Sequence, residues 1–174
     1  MPYDQRLARF PAYVQQLDME SNGKSTTRDG KPVSQATGAI VWGEPGTNSQ
    51  HSFFQLIHQG SDIIPVDFML AANDHHAKPL AGVYEHHTVL MTNVLAQANA
   101  LAFGRTADEV RADMQASGAS DADIEALVAH RTFAGDRPST MMLYRNLDAF
   151  TLGRLIALFE HKVFVQGIIW NINS

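Results

Sequence analysis

Two side chains have the types and settings that could carry chemistry. They are Glu20, inside Asp18-Met-Glu-Ser-Asn-Gly-Lys24, and His51, which closes Trp42-Gly-Glu-Pro-Gly-Thr-Asn-Ser-Gln-His51. A carboxylate and an imidazole in glycine-bearing stretches can pass protons to and from a sugar. A lone glutamate after a helix is ordinarily a solvated loop acid. Here Asn22-Gly23 permits close approach of backbone to a ligand, and Ser21, Ser25, Thr26 and Thr27 offer hydroxyls and amides to an anion or a polyol. Enclosure in such a loop would strip solvent from the carboxylate, the condition that a general base needs at neutral pH. His51 is expected in the first turn of a helix that begins near Gln50. There the positive end of the helix dipole opposes a charged ring and leaves it able both to give and to accept a proton.

Other polar clusters carry less. His75, His76, His86 and His87, with Asp74 and Glu85, bring metal ligation to mind, but neighbours in sequence point apart on a helix and the i, i+4 histidine spacing of zinc helices is missing. No metal is expected. Gly43-Glu-Pro-Gly46 lacks the Lys-Ser/Thr of a nucleotide loop and the third glycine of a dinucleotide fingerprint, so no nucleotide cofactor is expected, and Glu44 is assigned to fixing the turn.

The elements that must position these groups follow from periodicity. Leu7, Phe10, Val14 and Leu17 recur at helical spacing, which predicts a helix over residues 3–17 that Pro11 kinks or restarts, with Glu20 in the loop beyond it. Gly38-Ala-Ile-Val-Trp-Gly43 reads as a strand buried on both faces, followed by a turn and a helix capped by Thr47, Asn48 or Ser49, with Phe53, Phe54, Leu56 and Ile57 inward. Ile63 to Leu70 is the next strand, starting late or lying at an edge because of Pro65.

A long helix from His86 to Phe103 carries Leu90, Val94, Leu95, Ala98, Leu101 and Ala102 on one stripe and ends at Gly104. Thr106-Ala-Asp-Glu109 is a capping box, Ser120 caps a second short helix, and this alanine-rich pair is a surface excursion. A strand over Met141 to Tyr144 and a last helix capped by Asp148 complete the chain. Trp42, Phe53, Phe54, Phe159 and Trp170 are assigned to the core. Three or four strands alternating with helices make an α/β fold with a parallel sheet and helices on both faces.

Composition sets bounds on partners. The chain has 174 residues, 45% hydrophobic and 18% charged, enough to bury a core in one domain. A net charge of -5 without a basic run argues against nucleic acid, and the absence of cysteine excludes disulfides and thiolate zinc sites. Glu160, His161, Lys162 and Gln166 interrupt the most apolar stretch, so no membrane span is expected, and with no apolar leader segment the expected compartment is the cytoplasm.

Three segments together carry a family resemblance. GKPVSQATGAIVWGEPGTNSQHSFFQLIHQGSDIIPVDF from Gly30 to Phe68, Gln16-Leu-Asp-Met-Glu-Ser-Asn-Gly-Lys24, and Glu160-His-Lys-Val-Phe-Val-Gln-Gly-Ile-Ile-Trp170 closely resemble phosphoglucose isomerase. The resemblance implies a sugar-isomerase (SIS) α/β domain, most of the second of two. It also implies interconversion of glucose 6-phosphate and fructose 6-phosphate through a cis-enediol without cofactor, and a homodimer. Glu20 then resembles the base that moves a proton between C1 and C2, Gln16 a substrate contact, and His51 the group that helps open the sugar ring and reaches the neighbouring subunit's pocket.

Ser49 and Pro11 depart from the usual pattern without touching the chemistry. The resemblance also places the phosphate-binding Ser/Thr cluster and an arginine ahead of Met1, and a lysine and a further glutamine beyond Ser174. Residues 1–174 are thus expected to be a truncated domain, nearly inactive alone. The second reading is a non-catalytic sugar-phosphate-binding or dimerisation module.

Overall fold

A computed structural model describes residues 1–75 and 86–174. His76 and Glu85, considered above as metal ligands, lie outside them. A 3-10 turn over Gln5–Leu7 leads to α1 (Phe10–Asn22), then α2 (Gly46–Ser52), α3 (Phe54–Gln59), β1 (Val66–Ala71), α4 (His86–Phe103), α5 (Ala107–Ala116), α6 (Asp121–Arg131), β2 (Ser139–Tyr144) and α7 (Ala149–Ile169). The two strands pair in parallel, Val66 opposite Ser139 through Ala71 opposite Tyr144. Pro2 bridges Met69 on the other edge of β1, and Tyr3 N–H donates to Met69 O at 2.7 Å.

Alternation along β1 builds a core on each side of the sheet. Val66, Phe68 and Leu70 join Tyr3, Phe54, Ile57, Val94 and Leu101. Met69 joins Leu7, Phe10, Val14, Leu155 and Phe159. Helices therefore cover both faces of a parallel sheet, as expected. The hairpin of α5 and α6 keeps a small core of its own, Val110, Met114, Ile124 and Val128. Its neck is closed where Gly104, at φ +70°, packs against the backbone of residues 133–135, and the Arg105–Phe133 bridge seals it.

Local signals were good guides. Thr106 and Glu109 cap each other reciprocally, Ser120 accepts from Asp123 N–H, Asp148 accepts from Thr151 N–H, and Pro11 sits in the first turn of α1, so the helix starts there. Several expectations about strands and packing need correction. Among the described residues there are two paired strands rather than three or four: residues 38–43 belong to no strand, and Ile40 is 81% exposed. Leu95 and Ala102 face outward, because the buried stripe of α4 runs through Val94 and Leu101. Leu56 likewise points outward from α3. Trp42, Phe53 and Trp170 are only partly covered, while Phe54 and Phe159 are core.

Candidate active site

Helix α1 carries two opposite faces. Phe10, Val14, Asp18 and Asn22 succeed one another at i, i+4 and all are buried, whereas Gln16 and Glu20, also one turn apart, are exposed. The helix runs on to Asn22 and is closed by Gly23 N–H donating to Met19 O at 3.1 Å. Glu20 therefore stands in the last turn of the helix and not in a loop. Nothing in Met19-Glu20-Ser21 breaks a helix, and the turn signal takes effect only at Gly23. Among the described residues no wall encloses the Glu20 carboxylate, so the enclosure anticipated above is not supplied by these residues.

His51 is placed by long-range contacts. Gly46 N–H donates to Pro2 O at 2.8 Å, and a methyl group on Gly46 would overlap the Tyr3 ring. Gln50 Nε2 donates to Tyr3 Oη at 2.9 Å. These contacts start α2 at Gly46, with Pro45 as an N-cap that has no side-chain bond, so His51 falls in the last turn instead of the first. The amino-terminal field invoked for its imidazole lies at the far end of the helix. Ser49, expected to be one of three possible caps, is instead buried and donates to Gly46 O at 2.7 Å.

The stretch between the two helices touches both. Gln15 Nε2 donates to Val41 O at 2.9 Å, and Trp42 meets Phe53, which follows α2, edge to face at 4.6 Å between ring centroids. Gln16, Glu20 and His51 make no side-chain hydrogen bond or ion pair among the described residues. All three are exposed polar groups left uncommitted by the fold. No contact joins Glu20 to His51 directly. Beyond α1, Gly23 to Arg28, Gly30 and Asn173 line an open hollow of about 580 Å³. Ser25, Thr26 and Thr27 stand in it, Ser21 does not, and Lys24 Nζ ties it to Asn173 O at 2.7 Å.

Asp18 and Asn22 were missed by sequence reasoning as site-shaping residues. Asp18 is 2% exposed and its Oδ1 has no hydrogen-bond partner; burial pushes its pKa up, opposed by Lys162 and by the nearby Asn22 amide. The signal was available, since the apolar i, i+4 register of Phe10 and Val14 continues onto both residues. A carboxyl group that binds its proton more tightly in the folded state destabilises the fold as pH rises. The stability of the chain should therefore lose a contribution as pH climbs from the ordinary aspartate range through the raised value. Asp18→Asn should melt close to the parent at acid pH and above it at pH 8. Melting curves at both pH values check this, and a variant that melts below its parent at pH 8 would contradict it.

No group of three or more His, Asp or Glu among the described residues is arranged to hold a metal ion, and none of their helices is long and apolar enough to cross a membrane. His75 pairs with Asp74 at 3.4 Å.

Comparison with known proteins gives these positions a context. A family model described as phosphoglucose isomerase matches residues 1–174. Glucose-6-phosphate isomerases of Methylocella silvestris and Mesorhizobium japonicum are 59% and 58% identical over the whole chain, and the chain spans about 31% of the length of each. Among solved structures, a glucose-6-phosphate isomerase from Chlamydia trachomatis superposes with a TM-score of 0.80 at 39% identity, covering 99% of this chain and 30% of that one. A hypothetical protein from Thermus thermophilus, at 16% identity and a TM-score of 0.61 over the whole chain and 36% of its own, shares the fold alone. With a family model matched from the first residue to the last and whole-chain identities near three in five, the chain belongs to the phosphoglucose isomerase family.

Proposed function

We propose that these residues form one sugar-isomerase domain, incomplete in itself, of a cytoplasmic, dimeric enzyme that interconverts glucose 6-phosphate and fructose 6-phosphate. The observation that carries this reading is the uncommitted trio Gln16, Glu20 and His51 on two helices held by long-range bonds, in a chain matched throughout by the family. Glu20 removes the proton from C2 of the open-chain aldose as O1 takes up a proton, which gives a cis-enediol, and then returns its proton to C1 as O2 gives up its own and becomes the ketone oxygen. His51 moves the proton that opens and closes the ring, acting in the pocket of the other subunit. Gln16, one turn before Glu20, holds a substrate hydroxyl on the same helix face. The enclosure that Glu20 lacks here is assigned to the rest of the enzyme, which also supplies the phosphate site.

Isotope exchange tests the reaction type. A full-length enzyme containing this stretch, run in deuterium oxide, should place solvent deuterium at C1 of fructose 6-phosphate and at C2 of glucose 6-phosphate. Product formed at full rate with no solvent deuterium would point to direct hydride transfer and defeat the enediol. Exposure of all three candidate side chains favours a second reading for residues 1–174 alone, a non-catalytic binding or dimerisation module. Calorimetry with fructose 6-phosphate separates the two, because a module binds without turnover.

A further inference from the structure

We infer that Asn22, with the backbone of α7 at Val163 and Gly167, is a positioning device that sets the rotation of the last turn of α1 and thereby aims Glu20. The inference rests on Glu20 being the base. Asn22 is fully buried, and its Nδ2 donates to Val163 O at 3.0 Å, a carbonyl in the middle of α7. An amide reaches a helix backbone only where the facing residue is small. Gly167 supplies that gap, since a Cβ there would lie 3.0 Å from Asn22 Oδ1 and 2.9 Å from Ser174 Oγ.

The same turn is gripped from a second direction. Gly38 approaches so closely that a Cβ on it would lie 2.9 Å from both Asn22 O and Gly23 Cα, and Lys24 N–H donates to Asn22 O at 2.8 Å. Two residues along an α-helix correspond to about 200° of rotation, so an inward Asn22 makes an outward Glu20. Apolar side chains would fill this seam between α1 and α7 at less cost, because Asp18 Oδ1, Asn22 Oδ1 and Gln166 Oε1 are all buried without partners. Polar groups kept at such a cost are best understood as fixing one orientation of the helix and not as adding stability. A greasy seam would let α1 turn and slide; a single amide that must meet a single carbonyl does not.

The test uses a full-length enzyme carrying this stretch. Asn22→Leu keeps the branching and the heavy-atom count, replaces the amide by two somewhat larger methyl groups and removes the directional bond. It should fold with an unchanged or higher melting temperature, hold its KM for fructose 6-phosphate within about twofold, and lose about 10- to 100-fold in kcat, as expected when a reacting group is misplaced by about an ångström. Gly167→Ala, which keeps the amide but pushes α1 off α7, should give the same split between kcat and KM, and it carries the test if Asn22→Leu does not fold. A folded variant with kcat unchanged, or with only KM raised, overturns the proposal. Glu20→Gln measured alongside separates the two claims. If it loses turnover while Asn22→Leu does not, the positioning role fails alone; if it keeps turnover, the base and its positioning fall together.

Discussion

Glu20→Gln in a full-length enzyme containing this stretch is expected to cut isomerisation and hydrogen exchange at C2 by about 10²- to 10⁴-fold, the usual contribution of a positioned general base. Glutamine preserves the length and shape of the side chain but cannot take up a proton. The loss should therefore fall on kcat, with KM near that of the parent. Folding should be little affected. Glu20 is exposed on the last turn of α1 with no side-chain partner among the described residues, and substitutions at such positions commonly change stability by about 0.5 kcal/mol or less. That separation makes the result interpretable, because a slow enzyme with an unchanged melting temperature has lost chemistry and not structure. Exchange at the parental rate would remove Glu20 from the mechanism.

Phe68→Ala is expected to produce the largest loss of stability, about 3 to 5 kcal/mol by truncation of a fully buried aromatic ring. Phe68 is 0% exposed at the centre of β1 and lies 6.0 Å from the Tyr3 ring, in the cluster that also holds Phe54, Ile57, Val94 and Leu101. The damage should also reach the site. Tyr3 is the residue against which Gly46 packs and to which Gln50 donates, so a Tyr3 ring that sags into the space left by Phe68 takes the anchor of α2, and with it His51, out of position. Denaturant titration checks the stability change. A loss below about 1 kcal/mol would mean that this cluster is not the core of the domain.

How much of this was legible in the sequence depended on how local each cause was. The helix caps at Thr106, Ser120 and Asp148 are made between residues three apart, and all were read correctly. The register of α2 was not, because the bond that starts the helix comes from Pro2, and nothing between Pro45 and His51 announces it. Residues 38–43 have the composition of a buried strand, but a strand exists only through a partner, and here Val41 O accepts from a glutamine side chain instead. Glu20 reads as a loop residue because the apolar spacing of the first helix ends at Leu17, whereas the helix runs on to the Asn22-Gly23 signal. The polar seam of Asp18 and Asn22 could have been found by carrying the Phe10–Val14 register two turns further. It was overlooked because the apolar pattern, which usually marks burial, stops at Leu17.

Fold class and family were legible for different reasons. Strands that alternate with helices along the chain, and a β1 that is apolar nearly throughout, fit helices on both sides of a parallel sheet, whatever the chemistry. The family resemblance lies in specific stretches such as Gly43-Glu-Pro-Gly-Thr-Asn48, within which Gly46 is required by the Tyr3 ring.

The identity of the proton carrier is tested most directly by a crystal structure of the full-length enzyme with fructose 6-phosphate bound in open-chain form. A carboxylate oxygen of Glu20 should then lie about 3 Å from the C1–C2 bond, within a wall that the partner subunit's copy of the α2 helix completes. A sugar bound elsewhere, with Glu20 still facing solvent, would contradict it.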